Sequence, residues 1–376
     1  MKLSPVFDAL PPYPFTRLTA AKQRLAADGV ELLDFGTGEP REETPAFIRE
    51  TLAAALEPVS GYPSAEGLPE LREAIAAWAS RRFGVLLDAG TEVIPTLGSK
   101  EAIFQMAQVL GGDLVAVGTP GYPVPERGAL FAGRQVLELP LLAEHGFLPD
   151  LDAVPADTWA RVGLLWLNYP NNPTAAVAPL SLYERAAELA REFDFVLASD
   201  EAYSEIFFGD APPPSALQVA DRTNVVVLNT LSKRSAMPAY RSGFAAGDPA
   251  IVAALKRFRP NTGTAPQAFV QRASVAAWMD EAHVEAMRTI YRSKREVLLR
   301  ACAAAGLEHV GGDATMFLWL ADPDGVTPRL LEQGVVLAPG DFFGPPGQGY
   351  ARLALVPPLE VCERAAGVIA AVGSRA

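Results

Sequence analysis

The first chemical signal is the stretch Thr230-Leu231-Ser232-Lys233-Arg234-Ser235, followed by Tyr240-Arg241-Ser242-Gly243-Phe244. It follows the apolar run Val225-Val226-Val227-Leu228, which reads as a buried strand. A lysine at the end of such a strand is costly to desolvate unless something uses it. Hydroxyls on one side and an arginine eight positions beyond the lysine can together hold a phosphate. A lysine amine beside a phosphate site points to Schiff-base chemistry with a phosphorylated aldehyde. The plain alternative is a strand-end lysine with a buried stem and a solvated ammonium. The chain has six lysines, and only Lys100 and Lys233 stand beside phosphate-type chemistry. Lys256 and Lys294 sit in charged helical patterns and read as solvated.

The elements that position this stretch alternate between strand and helix. Leu68 to Phe83 reads as a helix with Leu71, Ile75 and Trp78 on one face. Val93-Ile94 leads into Gly98-Ser99-Lys100-Glu101 and a helical pattern that runs to Leu110. Short apolar strands follow at 114–117, 136–139, 162–167, 195–198 and 225–228, with a helix from Leu180 to Phe193. Continuous apolar strands separated by helices imply a largely parallel sheet covered on both faces. From about residue 270 the pattern becomes helix-rich, and strands return at 316–320, 335–337 and 352–356 before a final helix. The N-terminal stretch with Pro5, Pro11, Pro12 and Pro14 reads as an arm before a helix from Phe15 to Asp28.

Ligands of open α/β sheets gather at the carboxyl ends of the strands, and those ends are polar here. They carry Asn168-Tyr169-Pro170-Asn171-Asn172-Pro173-Thr174, then Asp200, Glu201 and Tyr203, then Thr230, Ser232 and Lys233. Taken singly, Asn-Pro is a turn and Asp after a strand is a cap. Taken together they meet the demands of pyridoxal phosphate. Its phosphate wants a helix N-terminus, hydroxyls and a cation, for which the candidates are Gly98, Ser99, Lys100, Thr230, Ser232 and Arg241. Its ring nitrogen wants a buried carboxylate, Asp200. Its ring oxygen wants donors, Asn172 and Tyr203, and its flat face wants an aromatic, Tyr122. Its aldehyde wants Lys233; Lys100 competes but opens a helical pattern.

With these residues the chain resembles the fold-type I pyridoxal-phosphate-dependent aminotransferases of the aspartate aminotransferase superfamily. The resemblance runs from Gly36-Thr37-Gly38-Glu39-Pro40 to Tyr350-Ala351-Arg352. It implies an α/β fold with a mostly parallel seven-stranded sheet in a large domain at 46–268. The arm at 1–45 and residues 269–376 would form a smaller α/β domain that closes over substrate. It implies that Lys233 forms the Schiff base and shuttles the proton, with Asp200 on the ring nitrogen and Tyr203 and Asn172 on the ring oxygen. Tyr122 would stack on the ring, and Ser99, Thr230 and Arg241 would hold the phosphate with backbone help from Gly98 and Lys100. Tyr62 would reach the phosphate of a neighbouring subunit in a homodimer. Arg352 would fork onto the substrate α-carboxylate, with Gly38 and Asn172 beside it. A cis bond is expected at Asn172-Pro173. Read without the resemblance, Arg352 is a surface ion-pair residue and Tyr62 a packing partner of Trp78.

Within that superfamily, Leu231-Ser232-Lys233-Arg234-Ser235 with Arg241-Ser242-Gly243-Phe244 is similar to the succinyldiaminopimelate aminotransferase group of lysine biosynthesis. Ala236 and Met237-Pro238-Ala239 depart from that group's pattern. The implied reaction takes N-succinyl-LL-diaminopimelate and 2-oxoglutarate to the 6-oxo acid and glutamate. A donor with carboxylates at both ends needs a second cation, for which Arg41 and Lys100 are candidates. Another amino-acid aminotransferase and a pyridoxal-phosphate-dependent C–S lyase are the alternatives on the same scaffold. A regulator that binds the cofactor without turnover would need a DNA-binding domain ahead of the fold, and the enzyme-like pattern begins near Phe35.

Composition excludes other classes. A net charge of −12 argues against binding nucleic acid or anionic membrane. The chain's 376 residues exceed one typical core, so two domains are expected. Cys302 and Cys362 cannot build a disulfide framework and fit a reducing cytosol, so a cytoplasmic location is expected. His145, His283 and His309 lack metal-ligand spacing.

Overall fold

The structure is a computed structural model and describes residues 1–10, 15–59 and 61–373. Pro11, Pro12 and Pro14 of the expected arm lie outside the described residues. The strands are β1 (Leu33–Asp34), β2 (Val93–Thr96), β3 (Leu114–Thr119), β4 (Gln135–Pro140), β5 (Val162–Asn168), β6 (Val196–Asp200) and β7 (Val225–Thr230). They continue with β8 (Gly243–Gly247), β9 (Glu308–His309), β10 (Phe317–Ala321), β11 (Val335–Val336), β12 (Ala338–Pro339) and β13 (Tyr350–Ala354). A seven-stranded sheet has the order β2-β8-β7-β6-β5-β3-β4, and β8 alone pairs antiparallel with its neighbours. This is the α/β fold that the strand pattern implies.

The apolar strands are buried on both faces, with alternate residues feeding separate cores. Leu165, Leu167, Leu197 and Val227 pack into one cluster, while Leu164, Trp166, Ala198 and Val226 pack into another. The helix Pro69–Phe83 buries Leu71, Ile75 and Trp78 together, as its 3.6-residue period requires. A second sheet, β12-β13-β10-β9, is antiparallel and carries its own core with the helices Ala282–Ala304 and Leu359–Gly373. β1 pairs in parallel with β11, which attaches the N-terminal segment to this smaller part.

Two readings are corrected. Lys294 is buried rather than solvated: its ammonium pairs with the buried Glu42 carboxylate, which also accepts from Tyr291 Oη at 2.8 Å. The periodic charge around Lys294 hid one inward position. β8 was not foreseen as a strand, because Gly-Phe-Ala-Ala-Gly has little intrinsic β preference. Its small residues answer a packing constraint instead. A Cβ on Gly243 would lie 2.5 Å from the Asn229 carbonyl oxygen and 2.9 Å from the Gly98 carbonyl carbon. The strand must therefore pass close to both β7 and the start of the helix Gly98–Val109.

No helix among the described residues is long and apolar enough to cross a membrane. Gly243→Ala is expected to destabilise the protein by about 2 kcal/mol or more, because backbone rather than flexible side chain must yield. Thermal unfolding of the variant checks this, and an unchanged midpoint would contradict the close approach.

Candidate active site

A cavity of about 460 Å³ lies at the carboxyl ends of β5, β6 and β7. It is within the size range of small-molecule sites. Asp200 ends β6 and Asn168 ends β5, directly paired in register. Asn168 Nδ2 donates to the Asp200 carbonyl at 2.9 Å, and Asn168 Oδ1 accepts from Asn172 N–H at 3.0 Å. Asn168 therefore ties the end of β6 to the loop that carries Asn172. It was not among the candidates, although its place at the end of a buried strand was a signal. The bond before Pro173 is cis, as the resemblance implies, and so are those before Pro120 and Pro170.

Lys233 sits in the one-turn helix Leu231–Arg234, whose start is capped by Thr230 Oγ1 accepting from Ser232 N–H at 3.1 Å. Arg234 and Ser235 anchor this turn from behind. Arg234 donates to the Ala277 carbonyl at 2.7 Å and to Glu281 at 2.8 Å, and Ser235 Oγ meets His283 Nε2 at 2.8 Å. Lys233 Nζ points the other way and donates to the Gly38 carbonyl at 2.5 Å. Burial lowers its pKa to about 8, and the charges of Arg352 and Arg241 act in the same direction. Burial raises the Asp200 carboxyl to about 7, against the Ala202 N–H and the Lys233 charge. Desolvation thus outweighs the mutual attraction of amine and carboxylate, pushing both toward neutrality. Among the described residues, the hydrogen bond to the Asp200 carboxylate comes from Ala202 N–H at 3.3 Å. Tyr203 also lines the cavity, with burial raising its phenol pKa and its ring centroid 5.9 Å from Lys233 Nζ.

At the other end lie Ser99, Lys100, Thr230, Ser232 and Arg241. The N–H groups of Gly98, Ser99 and Lys100 open a helix and lack intrahelical acceptors. Arg241 adopts a left-handed backbone and donates to the carbonyls of Pro238 at 2.9 Å and Leu97 at 3.1 Å. Gly98, at φ +67°, makes room for it: a Cβ there would lie 2.7 Å from an Arg241 nitrogen. Gly98 itself stands behind this wall rather than on it.

Arg352, on β13, is buried and donates to Asn172 Oδ1 at 2.9 Å and to the Gly36 carbonyl at 3.0 Å. Its guanidinium lies over Phe317 at 4.3 Å, Phe343 at 4.6 Å and Phe15 at 5.7 Å. It is no surface ion-pair residue. Gly38 and Tyr122 line the same cavity, as do Glu39 and Phe15, which were not foreseen. Their signal was absent because distant segments bring them there. Two expected residues lie elsewhere. Arg41 is not on the cavity wall and stands 3.6 Å from Asp34. Tyr62 is fully exposed, neither on the cavity nor packed beside Trp78.

The arrangement fits pyridoxal phosphate on its own chemistry. A cluster of anion donors around a glycine-made recess faces a buried carboxylate with unused acceptor capacity, and an amine of lowered pKa stands near it. No cluster of metal-ligating residues occurs among the described residues.

Comparison with known proteins agrees. Residues 30–369 match the family described as aminotransferase class I and II. The chain is 42% identical over 367 residues to an LL-diaminopimelate aminotransferase of Nitratidesulfovibrio vulgaris, covering 94% of this chain and 95% of that one. It superposes on an aminotransferase of Neisseria meningitidis with TM-score 0.91 at 34% identity, over 98% of this chain and 99% of that one. It likewise superposes on a probable N-succinyldiaminopimelate aminotransferase of Thermus thermophilus with TM-score 0.88 at 34% identity, over 95% and 99%.

The Asp200 shift gives a pH prediction. A carboxyl raised in the folded state holds its proton more tightly there than when unfolded. Its contribution to stability therefore falls as pH rises from the unfolded value, about 4, through about 7. Cofactor-free Asp200→Asn should melt above the cofactor-free parent at pH 8, with a narrower gap at pH 5. Differential scanning at both pH values checks the sign; a gap that widens at pH 5 contradicts it.

Proposed function

The chain belongs to the class I and II aminotransferases, pyridoxal-phosphate-dependent enzymes, and we propose that it moves an amino group between a diaminopimelate-type donor and 2-oxoglutarate. When bound, the cofactor supplies an aldehyde that takes the amino group and a ring that withdraws electrons from the reacting carbon. In this reading Ser99, Thr230, Ser232 and Arg241, with the backbone N–H of Lys100, hold its phosphate, and Gly98 makes room for Arg241 behind them. Asp200, buried and underused as an acceptor, holds the positive ring nitrogen, while Asn172 and Tyr203 serve the ring oxygen and Tyr122 the ring face.

Lys233 Nζ provides the attacking amine and then carries the proton to and from the substrate α-carbon. Its pKa of about 8 leaves a substantial neutral fraction near neutral pH. The Gly38 carbonyl aims the amine toward the substrate side. Arg352 forks onto the α-carboxylate, and the three phenylalanine rings around it exclude water and strengthen that pairing. A second subunit of a homodimer would bring Tyr62 to the phosphate, which suits its full exposure. The low cysteine count suits a cytoplasmic enzyme.

The observation that carries the substrate class is the placement of Glu39 and Lys100, opposite charges on one cavity wall system that also holds Arg352. Unmodified LL-diaminopimelate ends in an ammonium and a carboxylate, groups suited to Glu39 and Lys100 respectively, and 42% identity to a protein named for that activity supports it. The Leu231-to-Phe244 stretch favours a second reading, N-succinyl-LL-diaminopimelate, whose distal nitrogen is an uncharged amide.

A donor panel with 2-oxoglutarate separates the two. The unmodified donor is expected to show the higher kcat/KM, and Glu39→Gln to raise its KM about tenfold with little change in kcat. Preference for the succinylated donor restores the second reading. Turnover without a 2-oxo acid identifies a lyase instead. Borohydride reduction of the yellow protein should fix the cofactor on Lys233, read by peptide mass; an adduct on Lys100 would overturn the role of Lys233.

A further inference from the structure

Arg259 is completely buried, yet it lies outside the cavity wall. It opens the short turn Arg259–Thr262 that follows the helix Pro249–Phe258. Its guanidinium joins three separate segments. One terminal nitrogen, Nη1, donates to the Pro95 carbonyl on β2 at 2.7 Å and to the Ala65 carbonyl at 3.0 Å. The other donors, Nε and Nη2, fork onto the Glu101 carboxylate at 3.2 and 3.5 Å. Glu101 stands in the first turn of the helix Gly98–Val109, whose opening N–H groups belong to the anion end of the cavity.

An acidic side chain in that turn is a problem for a phosphate site. It competes for the positive helix end and repels the ligand. Here both effects are turned aside. Glu101 Oε2 accepts from the Leu97 N–H at 3.2 Å, behind the helix start, so the N–H groups of Gly98, Ser99 and Lys100 stay available. The guanidinium neutralises the carboxylate and holds it there. Leu97 supplies no side-chain cap of its own, and the Glu101 carboxylate takes the Leu97 N–H in its place.

We propose that Arg259 is a positioning residue for the phosphate end of the site: it holds Glu101 away from the anion and fixes the helix start on β2 and the Ala65 segment. The inference rests on the reading of that end as the phosphate site. Its readout is equilibrium binding to the cofactor-free protein, followed by absorbance and fluorescence, of two probes: pyridoxal 5′-phosphate and pyridoxal, which lacks the phosphate. The dissociation constant of pyridoxal divided by that of pyridoxal 5′-phosphate isolates the phosphate contribution.

Arg259→Met should cut that ratio about tenfold or more, since it leaves a carboxylate unpaired beside the anion. Adding Glu101→Gln should restore most of the loss, because the amide oxygen still accepts from Leu97 and carries no charge. A double variant no better than the single one would show mere structural support and overturn the proposal, as would an unchanged ratio in Arg259→Met. If Arg259→Met does not fold, Arg259→Lys keeps the charge, and the same rescue comparison is made from it with a smaller loss. Arg241→Met is the control arm. If it lowers the ratio while Arg259→Met does not, this inference alone fails; if it leaves the ratio unchanged, the phosphate reading fails with it.

Discussion

A carboxylate and an amine are held out of water at the ends of two adjacent parallel strands, and the site is organised around that cost. Asp200 closes β6 and Lys233 follows β7, where the strands are buried on both faces. Neither group keeps its ordinary pKa, because the low-polarity surroundings penalise charge more than their mutual attraction repays. Such a pair is poised for a ligand that carries positive charge at one point and a carbonyl at another. Parallel topology makes the pair possible, since it brings the carboxyl ends of successive strands to one edge.

The second half of the site comes from segments far apart in the chain. Gly36 and Gly38 turn their carbonyls toward Arg352 and Lys233. That segment is fixed at one side by β1 against β11 and at the other by Glu42, buried with Lys294 and Tyr291. A buried ion pair is weak support for stability as such, but it gives a turn of irregular backbone a defined place. The carbonyl that meets Lys233 is thus set by contacts with the smaller part of the molecule, which also supplies Arg352.

The strand ends Asn172, Asp200, Tyr203 and Lys233 could be read from the sequence because each follows an apolar run that predicts its own burial. Lys233 and Arg241 could be paired because one local chain reversal connects them. Glu39 and Phe15 could not be picked out, since each is an ordinary residue type in a turn or a helix start, whereas Asn168 carried the same strand-end signal as Asp200. Arg259 gave no signal either: an arginine after a charged helical pattern looks solvated. β8 was hidden because its residues are chosen for smallness, to let Gly243 pass Asn229 and Gly98, rather than for strand preference.

By itself the sequence determined the alternation of strand and helix, the polar edge of the sheet and the identity of the groups gathered on it. Those follow from local periodicity and from the high cost of burying a charge without a use. Tertiary structure alone decided that Arg352 enters the cavity among three phenylalanine rings, that Lys294 turns inward and that Arg41 and Tyr62 stay outside this cavity. Those outcomes depend on which distant surfaces meet. A side chain's burial and electrostatic surroundings belong to all the segments packed against it, not to its neighbours in the chain.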